Sequence, residues 1–337
     1  MTYTRVMITG YGPPEVLEVV EEPHLPEPNT GEVRVRVLAA SASYTDTMIR
    51  KGAYPEVRKK PPFSPGYDMV GVVDKCGRGA SRFKVGDRVC DLTVVGSYTE
   101  FLCAAEDRLV PVPDAVDPAE AVSLVLSWMT AYQMLHRTAK VRPGQSILVH
   151  GAGGAVGSAL LALARRLGAR VFGTASAAKH PMLKPLGATL IDYRTEDFVE
   201  RIGREAPDGV DAVFDALGLK SFRRSLKTVR PGGTLVAYGF SNTVDKGRGA
   251  VARDFLGFQL MRLLPGRRRK AFYSITATRQ RRPDWFEADL TTLLDLLAEG
   301  SIKPVIWKRL RLSEAVQAHR LLEQSMPVGK IILEPGR

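Results

Sequence analysis

The stretch LVHGAGGAVGSALLALARRLGARVFGTASAAKH, Leu148 to His180, sets Gly151, Gly153, Gly154 and Gly157 between an apolar run and an Ala/Leu-rich helical pattern. A literal GxGxxG is absent, because Ala152 replaces the first glycine in the register that ends at Gly157. Gly154 and Gly157 still keep the spacing for close backbone approach to a pyrophosphate and tight helix–strand packing. A helix opening there presents unpaired N–H groups and the positive end of its dipole to an anion. Glycine turns also arise for packing alone. Here the strand before, the helix after and a second strand at 170–174 supply the context a dinucleotide site requires.

The end of that second strand bears on which dinucleotide. An NAD site usually has an acid about twenty residues on, gripping the ribose 2′-hydroxyl. No acidic residue stands between Ser158 and Ile191; Thr174, Ser176, Lys179 and His180 stand there instead. A lysine and hydroxyls would hold a 2′-phosphate that an acid would repel, so NADPH is the expected cofactor. Lys179 alone also reads as a solvated lysine, but that reading leaves the missing acid unexplained.

Around these residues the chain falls into three sections. Residues 1–125 are rich in Val, Gly and Pro, with alternating runs such as EVRVRVLAA (32–40) and GDRVCDLTV (86–94), the pattern of a compact β domain. From 126 strand and helix alternate: SILVHG, a helix over 155–167, RVFGTA, a helix near 178–186, ATLIDY, VDAVFDAL, a helix over 219–229 and GTLVAYGF. That rhythm argues for a parallel sheet with right-handed crossovers. The last section carries an amphipathic helix in WFEADLTTLLDLLAEGSI and ends in the strand GKIILEP.

Composition narrows the class. The 337 residues contain no apolar run of spanning length and no basic-then-apolar leader pattern at the N-terminus. The three cysteines, Cys76, Cys90 and Cys103, make no CxxC spacing and no full disulfide framework, which favours a reducing cytoplasm. The net charge of +12 is concentrated in MRLLPGRRRKAFYSITATRQRR (261–282). A basic segment can mark a nucleic-acid or membrane surface; with no RNA-binding motif beside it, a solvated loop or a funnel for an anionic ligand is the commoner reading.

Several segments together carry a family resemblance: HGAGGAVGSALLALARRLGA, GATLIDYRTEDF, GVDAVFDALG, LKTVRPGGTLVAYGF and GKIILEP, with GYGPPEVLEVVEEPHLPEPNTGEVRVRVLAASASYTDTMIRKGAY and SPGYDMVGVV near the start. The chain resembles the medium-chain dehydrogenase/reductase superfamily, and within it the zinc-free quinone oxidoreductase branch that includes relatives of the synaptic vesicle membrane protein homologues. The resemblance implies an α/β protein: a GroES-like β domain from 1–125 and 277–337, and a Rossmann NADPH-binding domain, a doubly wound parallel sheet, from 126–276. The active site would lie in the cleft. It also implies a homodimer paired at a sheet edge, with FYSITA (272–277) as the candidate strand.

Zinc-dependent members of the superfamily place a Cys, a GHE-like His and a further Cys or acid around the metal. Here the first region reads SASYTDTM, the second Gly66-Tyr67-Asp68, and His24, His136, His150, His180 and His319 have no ligand spacing, so no metal is expected. Without a Lewis acid to ionise an alcohol, an electrophilic acceptor is favoured: a quinone or an α,β-unsaturated carbonyl (enone). Relatives often carry an asparagine and two tyrosines in the stretch matching SASYTDTMIRKGAY. Ser43 stands at the asparagine, Met48 at the first tyrosine, and Tyr54 keeps the second. The expected proton or hydrogen-bond donor is Tyr54, with Ser43 and Tyr67 behind it; a tyrosine packed at a turn is the competing reading. For the cofactor the resemblance points to Thr130 near the nicotinamide and to Gly153, Gly154, Ala155 and Val156 at the pyrophosphate. It sets Ser176, Lys179 and Tyr193 around the 2′-phosphate, and Tyr238, Gly239 and Phe240 at a strand end beside the nicotinamide. Lys330 lies in the matching terminal segment. A second reading is an NADP(H)-binding protein that uses 261–282 on RNA or a membrane surface.

Overall fold

The computed structural model describes residues 1–244, 246–324 and 328–336. The chain forms two compact units, 1–129 with 283–337, and 130–282. In the first, β1 (Tyr3–Ile8) and β2 (Leu17–Glu22) make an antiparallel hairpin. The long strand β3 (Glu32–Ala42) pairs with β4 (Met69–Cys76) on one side, and β5 (Arg88–Asp91) follows β4. β6 (Phe101–Ala105) pairs with β3, and β7 (Val110–Pro111) with β5. The alternation in EVRVRV turns Val33, Val35 and Val37 inward, against Met69, Val73, Val89 and Leu109.

The second unit is built on six strands: β8 (Ser146–Val149), β9 (Arg170–Ala175), β10 (Thr189–Asp192), β11 (Val210–Asp215), β12 (Val229–Ala237) and β13 (Arg269–Phe272). They are all parallel, in the order β10-β9-β8-β11-β12-β13. This is a doubly wound sheet whose order reverses between β8 and β11, and such a switch point is where these sheets bind ligands. Helices cover both faces of sheets of this kind, so β8 reads as an unbroken apolar run, with Ile147, Leu148 and Val149 fully buried.

The expected strand FYSITA is corrected by the structure. The edge strand is Arg269–Phe272, and Ile275–Arg281 is a helix inside the second unit. The reason is local: the Ser274 hydroxyl accepts from the N–H of Ala277, an N-cap that outweighs the β preference of Tyr and Ile.

After the helix Pro283–Ala298 the chain adds β14 (Ile306–Arg311) and β15 (Lys330–Glu334) to the first unit's sheet, giving the order β14-β15-β3-β4-β5-β7. β15 runs antiparallel to β3 with Ile332 opposite Ser41 and Ile331 opposite Ala42. That register brings Lys330 to the end of β3, where β4 also begins.

Candidate active site

In the second unit the glycine turn leaves β8 through Gly151, which has φ +66°. It is held by Ala152 N–H on Thr174 O at 3.0 Å and Gly154 N–H on Gly151 O at 2.9 Å. The helix Ala155–Arg166 then starts at Gly154 with no side-chain cap and no acid in its first turn. A helix start of this kind offers its leading N–H groups to an anion. Gly157 is compulsory: a Cβ there would lie 2.2 Å from Gly151 O and 2.8 Å from Ala152 Cα. At Gly153 a Cβ would meet Lys179 Cδ at 2.8 Å, so the lysine stem lies across the turn.

That contact joins Lys179 to Gly153 and Gly154 in one place. Burial lowers the Lys179 pKa, and the positive charge of Arg194 lowers it further. Arg194, whose guanidinium is 6.0 Å from the Tyr193 ring centroid, thus adds a second cation to this corner. The sequence reading missed it, although it follows Tyr193 directly. Ser176 begins the short turn that carries Lys179, accepting the Lys179 N–H at 2.9 Å, and Tyr193 is exposed. The residues fit an anionic, phosphorylated nucleotide: open helix amides, a turn without side chains and two cations where an acid would otherwise stand.

Thr174 stands apart from this group. Its buried hydroxyl lies 3.1 Å from His150 Nδ1 and accepts from Gly151 N–H, which supports the turn from behind. His150 Nε2 meets the Ser225 hydroxyl at 2.9 Å, and Ser225 donates to Asp215 at 2.7 Å. Burial holds the His150 pKa below its usual value. At the end of β12, Tyr238 N–H donates to Asp215 O at 3.1 Å, and burial raises its hydroxyl pKa well above the usual range. A Cβ on Gly239 would press on Ala216 at 3.1 Å. Phe240 is turned into the core, stacked on Phe272 and edge-on to Phe222 and Phe255. Thr130 is buried at the start of the unit.

The first unit brings Tyr54 and Tyr67 together: their hydroxyls are 2.8 Å apart and the rings meet edge to face. Tyr54 also donates to Glu56 Oε2 at 2.8 Å. Tyr67 is fully buried, Tyr54 partly, and Glu56 is exposed. Burial, followed by the nearby Tyr67 and Glu56, drives the Tyr54 pKa far above the usual tyrosine value. Ser43 has a different task. It caps the helix Tyr44–Arg50 in a capping box, its hydroxyl donating to Asp46 Oδ2 at 2.6 Å and accepting from Asp46 N–H.

Lys330 also lies in this unit, buried, with its ammonium 2.6 Å from Ser41 Oγ and 3.8 Å from Asp68 Oδ2. Asp68 accepts both the N–H and the hydroxyl of Ser41, at 3.0 and 2.5 Å. Burial pushes the Asp46 carboxyl up to about 7, with Ser43 pulling it down and Asp68 adding to the rise. Asp68 is raised by burial and relieved mainly by Lys330. Sequence reasoning missed both carboxylates, although the Ser43–Asp46 spacing is that of a capping box. Among the described residues, no group of three or more His, Cys, Asp or Glu is placed to hold a metal ion.

One unit is an open doubly wound sheet with a glycine turn and the other a β unit in which Tyr54 meets the buried Tyr67, and comparisons with known proteins give the class to which a chain with these two units belongs. Residues 29–114 match the family model described as alcohol dehydrogenase GroES-like domain, and residues 186–333 the one described as zinc-binding dehydrogenase. The chain is 33% identical over 340 residues to the synaptic vesicle membrane protein VAT-1 homolog of Rattus norvegicus, covering 98% of this chain and 84% of the relative. It is 30% identical to the quinone oxidoreductase of the same species, covering 97% and 96%. Among solved structures, the Escherichia coli quinone oxidoreductase complexed with NADPH superposes with a TM-score of 0.85 at 29% identity, over 98% of this chain and 100% of that one. The chain belongs to the medium-chain dehydrogenase/reductase superfamily, in the group of the quinone oxidoreductases and VAT-1 homologues. By family it is an oxidoreductase.

Proposed function

We propose that the protein is a zinc-independent, NADPH-dependent reductase whose acceptor is a quinone or an enone. The observation that carries this reading is the position of Lys179 across Gly153, with Arg194 beside it and no acid where a ribose 2′-hydroxyl would need one. Gly153, Gly154, Ala155 and Val156 would hold the pyrophosphate. Ser176, Lys179, Arg194 and Tyr193 would hold the 2′-phosphate, and Thr130, Tyr238 and Gly239 the nicotinamide end. When bound, NADPH supplies a hydride. The protein's own part is to orient the acceptor, exclude water and provide a proton or hydrogen bond to the oxygen on which charge develops; Tyr54, backed by Tyr67, is the donor. Zinc independence is read from the residues at the GHE position, where Tyr67 meets Tyr54 and Asp68 accepts from Ser41, and a conjugated acceptor is the class that needs no Lewis acid. Homodimer formation and a cytoplasmic location are part of the same reading. Among the described residues no helix is long and apolar enough to cross a membrane, which is a separate fact about the fold.

The test is oxidation of NADPH and NADH by the purified protein, with a panel of quinones and enones, with and without a chelator. Chelator-resistant turnover that prefers NADPH is expected. Lys179→Glu should weaken NADPH binding by roughly 10- to 100-fold, the worth of a charge-assisted contact, while NADH changes little. Equal losses for the two cofactors would remove Lys179 from the phosphate corner, and turnover abolished by the chelator would remove zinc independence.

A further inference from the structure

The Tyr54 hydroxyl makes two contacts of 2.8 Å, one to Glu56 Oε2 and one to Tyr67 Oη. A hydroxyl has a single proton and two lone pairs, and an ionised carboxylate only accepts. With Glu56 ionised, the Tyr54 proton is committed to Glu56, and Tyr67 must therefore donate to Tyr54. The three groups also form a gradient from solvent to interior, from exposed Glu56 through half-buried Tyr54 to fully buried Tyr67.

We infer that Glu56 is the solvent-facing end of a proton relay that loads Tyr54, and that protonation of Glu56 switches Tyr54 from an idle to a donating hydroxyl. This rests on the reductase reading above. Once protonated, Glu56 donates to Tyr54; with Tyr67 also donating, both Tyr54 lone pairs are filled and its own proton is released for a third partner, the acceptor oxygen. As the acceptor's new O–H bond forms, the Tyr54 O–H bond breaks. The Glu56 O–H bond breaks in turn and re-forms the Tyr54 hydroxyl, and the Glu56 carboxylate then takes a proton from water. No electrons move in the relay; the acceptor's electron pair arrives with the hydride. The replacement is required because a lone tyrosinate is strongly disfavoured here: burial and the charge of Glu56 both hold Tyr54 in its neutral form. Glu56 is a positioning and proton-supplying residue, since it acts through Tyr54.

The experiment pairs two readouts on the full chain and on Glu56→Gln. The first is NMR of protein labelled with ¹³Cζ-tyrosine and free of cofactor, the Tyr54 signal being assigned by its loss in Tyr54→Phe. The second is the pH dependence of kcat, with NADPH binding followed separately by fluorescence. In the wild type the Tyr54 signal should move with Glu56 protonation, and kcat should fall as Glu56 ionises. In Glu56→Gln the signal should be flat, the pH limb lost and kcat lower by at least roughly tenfold, with NADPH affinity unchanged; Glu56→Asp should recover part of the limb. A Tyr54 signal indifferent to pH, or a Glu56→Gln enzyme with the wild-type profile, would overturn the relay while leaving the reductase reading intact. A wild type inert toward every acceptor would overturn that reading and the relay with it.

Discussion

Asp46 is a fully buried carboxyl, with Ser43 as its hydrogen-bond partner and Asp68 as a like charge nearby. Its folded pKa of about 7 lies above the unfolded value of 3.8, so between those values the folded state binds a proton that the unfolded state does not. Stability from this group is therefore full at about pH 4 and is lost as pH rises through 7, at up to about 1.4 kcal/mol per unit. Asp46→Asn keeps the acceptor oxygen for Ser43 and removes the buried charge. It is expected to raise the urea midpoint at pH 8, by an advantage that shrinks steadily as pH falls toward 4. The comparison is variant against wild type, because the buried His319, held neutral down to about pH 3, opposes the slope below 6.5: unfolding frees it to take up a proton. A variant no more stable at pH 8 than the wild type would show that Asp46 is already neutral or water-exposed there.

At the scale of elements, the glycine turn and its helix respond to added atoms according to what surrounds each glycine. Gly157→Ala would drive a methyl group into Gly151 O and the Ala152 backbone. Overpacking of this kind costs about 1–3 kcal/mol and must displace the turn, so both thermal stability and NADPH affinity should fall. Gly203→Ala is the contrast: that glycine is exposed within the helix Phe198–Glu205, with nothing within 4 Å of the new Cβ. It should stabilise by about 0.5–1 kcal/mol with cofactor binding unchanged. Calorimetry and a binding titration on the two variants check this; equal behaviour would mean the turn tolerates displacement. The strand–turn–helix unit was legible in the sequence because all its determinants are local: an apolar run, glycines at fixed spacing and an Ala/Leu helix. What was not legible depends on register between distant segments. Lys330, Ser41 and Asp68 meet only because β15 and β4 flank the end of β3. Tyr54 and Tyr67 were each legible as residues, but their contact follows from the path of the loop between them. Thr174 was legible as a hydroxyl at a strand end, but not the face on which it points, and the buried His150 behind it claims it.

For the molecule as a whole, the open edge of the parallel sheet and the surface next to it belong to one argument. β13 closes the strand order and pairs with β12 alone among the described strands. Phe255 and Phe258, on the helix Arg248–Leu263, pack against Phe272 of that same strand. The same helix and the residue after it leave Phe255, Leu256, Leu260, Leu263 and Leu264 exposed, five large apolar side chains within ten residues. An open edge and a contiguous apolar patch are both features that proteins cover. A second copy of the chain can cover both at once, with β13 against β13 about a twofold axis. The cations Arg267, Arg268, Arg269 and Lys270 lie on or just before that edge, so the two copies would bring like charges together. Dimerisation should therefore strengthen with salt, as screening relieves the repulsion. Sedimentation is expected to give a dimer that is firmer in 0.5 M than in 0.05 M salt, and Leu260→Glu with Leu263→Glu should return it to a monomer without loss of fold. A monomer at every salt concentration that instead binds RNA or anionic vesicles, and releases them as salt rises, would assign the patch and its arginines to a polyanionic partner, because counterion release has the opposite salt dependence.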